Sequence, residues 1–153
     1  MPQATCKDNP IDNKYLHRDF HLLGDNAIKY CADKYGADAA IEFLEEYAKN
    51  YYSPIIEKAK REGLSAIKEW LLRTYEVEEA SELIHTELTE NELTVKIDRS
   101  PVIEYMHSLG KEPSEYYFEE TRTVYRTLAE EAGFSFELIS YGEDGAARYE
   151  FRK

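Results

Sequence analysis

Cysteine is nearly absent from this chain. Among 153 residues only Cys6 and Cys31 carry thiols. One stands in a polar N-terminal stretch and the other inside a helical pattern, so they form neither a disulfide framework nor a cysteine-based zinc site. Basic residues are outnumbered, with 19 Lys and Arg against 31 Asp and Glu, which leaves a net charge of −12. A nucleic-acid or anionic-membrane binder needs a basic face, so neither partner is expected. No apolar run approaches the roughly 18 residues that a membrane span needs. No charged-then-apolar leader opens the chain, and a cytoplasmic protein is the expectation. Glycine-rich phosphate loops, paired CxxC motifs, DxDxDG calcium loops and a Ser/His/Asp triad order are also missing. No cofactor and no metal are therefore expected.

What the chain does have is aromatic surface. Hydrophobic residues make up 42% of it, and 13 are tyrosine. That is enough to build a core without staples. Residues 1–13, "MPQATCKDNPIDN", are polar with two prolines and read as a flexible arm. Residues 14–153 read as a single domain. A first helix runs from about Lys14 to Lys34, with Leu16, Phe20, Leu23, Ala27, Tyr30 and Cys31 recurring at helical spacing. These are its expected core face. A second helix starts near Ala37 with Ala40, Leu44, Tyr47 and Tyr51 in its stripe, and Pro54 breaks it at Tyr52–Ser53. A shorter helix, Pro54 to Glu62, ends at Gly63, and the next runs from Leu64 to about Val77.

The period then changes to two. In "ELTVKIDR", 92–99, Leu93, Val95 and Ile97 alternate with polar residues, and "ELIHTELT", 82–89, pairs with it across Glu90–Asn91. "SPVIEYMHSLG" reads as a short helix capped by Ser100, started by Pro101 and stopped by Gly110. Residues 115–133 form another amphipathic helix, and 134–141 with 146–152 form a second hairpin. Two hairpins joined edge to edge give a four-stranded antiparallel sheet covered on one face by helices, an α+β fold.

Chemistry is sparse but placed suggestively. His17 and His21 stand four residues apart and share a helix face with Gly24 and Ile28. Asp19 lies about 160–200° round the helix from the histidines and cannot complete a site with them. A glycine inside a helix costs roughly 1 kcal/mol against alanine, so Gly24 marks the close approach of a neighbour or a ligand. On the helix of residues 115–133, Tyr117 and Tyr125 lie in the apolar arc, while Glu120 and Arg122 flank it on opposite edges. Charges there either snorkel to water or point into a cavity. Arg99 continues the inward face of its strand. Either it forms an anion cradle with the helix N-terminus at Ser100–Pro101, or it pairs with an internal acid such as Glu120.

Four stretches, "YLHRDFH", "NYYSPIIEKAKREGLSAIKEWLLRTYEVEE", "VKIDRSPVIEYMHSLG" and "YYFEETRTVYRTLAEEAGFSFEL", occur in an order and spacing that resemble the bacterial L-2-amino-thiazoline-4-carboxylic acid hydrolase family. The resemblance runs from about Asn13 to the C-terminus. That family resembles in turn the α+β ligand-binding folds of the 4-vinyl-reductase and haem-NO-binding domains. The resemblance implies hydrolytic ring opening of a cyclic amidine acid, giving N-carbamoyl-cysteine. Relatives carry a cysteine between the arginine and proline that here flank Ser100. A serine without a positioned base is far less reactive, so weak or redirected turnover is expected.

The leading expectation is thus a hydrolase with a small-molecule pocket between the sheet and the helices of residues 14–34 and 115–133. Arg99 and Arg122 would hold a substrate carboxylate. Glu120 or Glu119 would serve as base, and His17, His21 or His107 as acid. One rival is a non-enzymatic ligand-binding or sensor module. Another is a homodimer formed through the aromatic face of the second helix.

Overall fold

Helix breakers punctuate the first half of the chain. In a computed structural model, which describes residues 13–153, helix α1 spans Lys14–Tyr35 and α2 spans Ala37–Tyr51. Between them Gly36 adopts φ 95°, a conformation that glycine enters without steric penalty. Helix α3 (Ser53–Glu62) begins where expected. Pro54 has no N–H to give the carbonyl of Asn50, and the hydroxyl of Ser53 donates to that oxygen instead at 3.0 Å. Gly63 then separates α3 from α4 (Leu64–Val77).

After a short 3-10 turn at Ser81–Leu83 come β1 (Ile84–Leu88) and β2 (Glu92–Ile97), then α5 (Pro101–Ser108), α6 (Glu119–Ala132), β3 (Ser135–Tyr141) and β4 (Ala147–Arg152). All pairings are antiparallel and the order across the sheet is β1-β2-β4-β3. This is the α+β architecture with a four-stranded antiparallel sheet. Leu93, Val95 and Ile97 of β2 and Tyr149 and Phe151 of β4 turn inward, where Ile67 and Leu71 of α4 and Leu128 and Ala129 of α6 cover them. An irregularity in register between Leu138 and Ser140 adds one residue to β3. It shifts the alternation, so Tyr141 and not Ser140 faces inward.

Two expectations change. Helix α6 starts at Glu119 because residues 115–118 are held as a turn. Asp25 of α1, 4% exposed, accepts from the backbone N–H of Ser114 at 2.8 Å and from its hydroxyl at 2.5 Å. More consequentially, α1 is rotated from its expected orientation. Leu16, Phe20, Leu23 and Tyr30 are 40–67% exposed, while Asp25, Ile28 and Ala32 are buried and His17 and His21 turn inward with them. Charged and polar partners on other elements select that face, and their pairing outweighs the apolar stripe. Residues 1–12, most of the expected arm, lie outside the described residues. No helix among the described residues is long and apolar enough to cross a membrane.

Candidate functional site

The inward flank of α1 meets two carboxylates. His21 Nδ1 hydrogen-bonds Glu120 Oε2 at 2.7 Å, at the first turn of α6. His17 Nδ1 contacts Glu78 Oε1, at the C-terminal end of α4. The two imidazoles face each other with Nε2 atoms 3.3 Å apart and rings crossed edge to face. Glu78 is 2% exposed and also accepts from Arg18 Nε at 2.6 Å. Gly24, one turn past His21, is the close approach that its cost implied. A Cβ there would stand 2.7 Å from Glu120 Oε1. Asp19 points elsewhere and accepts from the Tyr105 hydroxyl at 2.7 Å.

These pairs set the local protonation. Burial disfavours a charged His21, but the charge and hydrogen bond of Glu120, with a further contribution from the charge of Glu78, overcome it and raise the imidazole above 6.5. Burial likewise disfavours a charged Glu78, but the bonds and charges of His17 and Arg18 prevail and hold it below 4.5.

The quartet forms part of the wall of a cavity of about 370 Å³ between α1, α2, α4, α6 and the sheet. Much of the remaining wall is aromatic. Tyr47 and Tyr52 come from α2 and its end, Trp70 from α4, Tyr125 from α6, and Tyr141 and Tyr149 from the sheet. Their rings interlock: Tyr52 to Trp70 at 5.3 Å, Trp70 to Tyr125 at 5.6 Å and Tyr125 to Tyr149 at 5.4 Å between centroids. Burial pushes the phenols up, Tyr125 to about 12, so they remain neutral donors near neutral pH. At the outer rim Phe20 stacks on Tyr51 at 5.5 Å, and Tyr51 is 58% exposed.

The other expected site residues divide. Tyr117, Tyr125, Glu120 and Ser100 line this cavity with the two histidines. Ser100 Oγ is already used, accepting from the Ile103 N–H at 3.3 Å as the cap of α5. Glu119 is buried against α6 itself, bonded by Thr123 Oγ1 at 2.5 Å and by Arg122 Nε at 3.1 Å. Arg99 turns outward past the end of β2, since the alternation stops at Ile97, and pairs with the half-exposed Glu104 at 2.7 Å. Neither the expected core-facing orientation of Arg99 nor its pairing with Glu120 is found. Arg122 and His107 line a second, open hollow beside β3, where His107 hydrogen-bonds Glu112 at 3.0 Å. Arg99 and Arg122 therefore do not converge on one ligand. The arginine that does line the aromatic cavity is Arg73, about half exposed, whose Nη1 donates to Glu76 at 2.8 Å.

Against known proteins, the chain matches no family model, no curated protein and no solved structure. Sequence reasoning found His17, His21, Gly24 and Glu120 but missed Glu78, Arg18 and Arg73. Glu78 sits in the acidic run "EVEEA", where nothing local distinguishes it from its neighbours. Among the described residues no group of three or more His, Cys, Asp or Glu side chains is disposed to hold a metal ion. What remains is an acid–base pair facing an aromatic box of small-molecule size.

Proposed function

We propose that the cavity binds a small planar cyclic amidine acid and opens its ring by hydrolysis, the reaction implied by the family resemblance. The observation that carries this reading is the Glu120–His21 pair, bonded at 2.7 Å in the wall of an aromatic cavity. A planar, cation-forming ring suits aromatic walls, which attract positive charge through their faces. Arg73, whose guanidinium also pairs with Glu76 at the surface, takes the carboxylate-holding role in place of Arg99 and Arg122.

Water adds its oxygen to the amidine carbon, the bond from that carbon to the ring sulfur breaks, and the hydroxyl proton left on the carbon passes to the ring nitrogen as the carbonyl forms. Glu120 takes a proton from the water, and the His21 imidazolium gives one to the departing sulfur. His21 keeps the hydrogen on Nδ1 that faces Glu120 and regains the Nε2 proton from solvent, and Glu120 releases its proton to solvent, restoring both groups. Ser100, committed to capping α5, is not the nucleophile.

Trp70 is the only tryptophan and lines the cavity, so its fluorescence reports occupancy. Titration with the thiazoline acid should give a saturable change, with the ring-opened product detected by mass spectrometry in the same sample. A change in fluorescence with no product would leave a binding module and refute the hydrolase. No change at all would refute both.

A further inference from the structure

We propose that Glu78, His17, His21 and Glu120 form one proton-sharing chain, in which Glu78, clamped by Arg18, is a positioning residue that holds the Nε2 of His17 against that of His21. The inference rests on the acid–base reading of Glu120 and His21 and extends it to residues which that reading does not use.

Nitrogen valence fixes the tautomers of the two rings. An ionised carboxylate only accepts hydrogen bonds, so the Nδ1 atoms facing Glu78 and Glu120 both carry hydrogen. The two Nε2 atoms are left 3.3 Å apart. If both rings were neutral, two lone pairs would face each other. One added proton turns that repulsion into an N–H···N hydrogen bond. The quartet with Arg18 then closes its charge, because two carboxylates are matched by one guanidinium and one imidazolium.

Glu78 is placed as a positioning group should be. It caps the C-terminus of α4, where the helix dipole disfavours a carboxylate. Arg18 offsets that penalty twice, through Nε to the carboxylate at 2.6 Å and through Nη2 to the Glu78 carbonyl at 3.1 Å. The next residue, Glu79, takes a left-handed φ of 53° and is tied to Lys14 at 2.5 Å, which turns the chain away after α4.

The remaining ionisable groups around the chain are few. From α2 and its end come the phenols of Tyr47, Tyr51 and Tyr52, from α4 Tyr75 and Arg73, from the turn before α6 Tyr117, from α6 Tyr125, and from the sheet Tyr141 and Tyr149. Burial pushes the phenols of the inner wall up, and they stay neutral through the histidine range. The raised His21 agrees with a shared proton.

The test is a titration of His17 and His21 in the full chain, followed by nitrogen-15 chemical shifts, with no substrate added. In the wild type both rings should respond to a single proton, with hydrogen on both Nδ1 atoms at high pH. In Glu78→Gln the His21 midpoint should fall by about one pH unit, a tenfold loss of proton affinity. Because Arg18 loses a buried partner in that variant, His17→Gln, at a position 26% exposed, provides the second arm and should lower the same midpoint. A His21 midpoint unchanged in either folded variant, or independent titration of the two rings, would overturn the chain. These shifts do not depend on turnover, so an inactive protein with coupled rings would refute the hydrolase alone.

Discussion

Gly24 leaves the space that the Glu120 carboxylate occupies. A Cβ on Gly24 would stand 2.7 Å from Glu120 Oε1, closer than such atoms pack. The obstructed atom is the end of a flexible side chain, so Gly24→Ala should displace the carboxylate and leave the backbone in place. The helix gains up to about 1 kcal/mol of intrinsic propensity, while the bond from His21 to Glu120 is strained. Thermal melting should therefore show stability unchanged or slightly raised, and the His21 midpoint should drop. A clear loss of stability with an unmoved midpoint would show that Glu120 is not seated against Gly24.

Stability should depend on pH in a way set by the two buried pairs. His21 is raised on folding, so its contribution is complete below 6.5 and is lost as pH rises through the folded value. Glu78 is lowered, so its contribution is complete above 4.5 and is lost as pH falls through its folded value. Both contributions are whole between those two values, which is where urea midpoints should be highest. In His21→Gln the decline on the alkaline side should flatten, and an unchanged decline would contradict the pairing.

Arg99 and Arg122 should behave differently on truncation. Arg99 pairs with Glu104, both about half exposed, and Arg99→Ala should cost no more than about 1 kcal/mol. Arg122→Ala strands Glu119, which is 4% exposed and keeps only Thr123, so about 1–3 kcal/mol should be lost. Neither variant should alter ligand affinity at the aromatic cavity. Chemical denaturation and the Trp70 titration measure the two effects separately.

The corner at Ser100 is packed for structure. Gly145 has φ 77°, and a Cβ there would lie 2.4 Å from the Ser100 Cβ. Gly145→Ala should therefore destabilise by about 2–3 kcal/mol, through backbone strain and overpacking together. Ser100→Cys weakens the cap of α5 and should cost about 1 kcal/mol without increasing turnover. A cysteine variant that turns over substrate much faster than wild type would return the chemistry to position 100.

The sequence told where elements begin and end more clearly than how they face. Pro54, Gly63, Pro101 and Gly133 mark boundaries because their effects are local, and β2 alternates because one face is buried. The facing of α1 was not legible from its apolar spacing. It is fixed by Glu78 and Glu120, which lie 61 and 99 residues from their histidines. Gly24 carried the one local hint, as a helix-weakening residue on the histidine flank. Arg99 misled because strand alternation was extended past Ile97, where β2 ends.

The most direct test of the central claim is hydrolysis of the thiazoline acid by wild type and by Glu120→Gln, with enzyme in excess and product followed by mass spectrometry. The amide keeps the shape of the carboxylate but cannot take a proton from water. Wild type should form the ring-opened acid, and Glu120→Gln should slow its formation by about 10²–10⁴-fold, as expected for loss of a general base, while still changing Trp70 fluorescence on binding. Equal rates for the two proteins, or no product from wild type, would contradict the account.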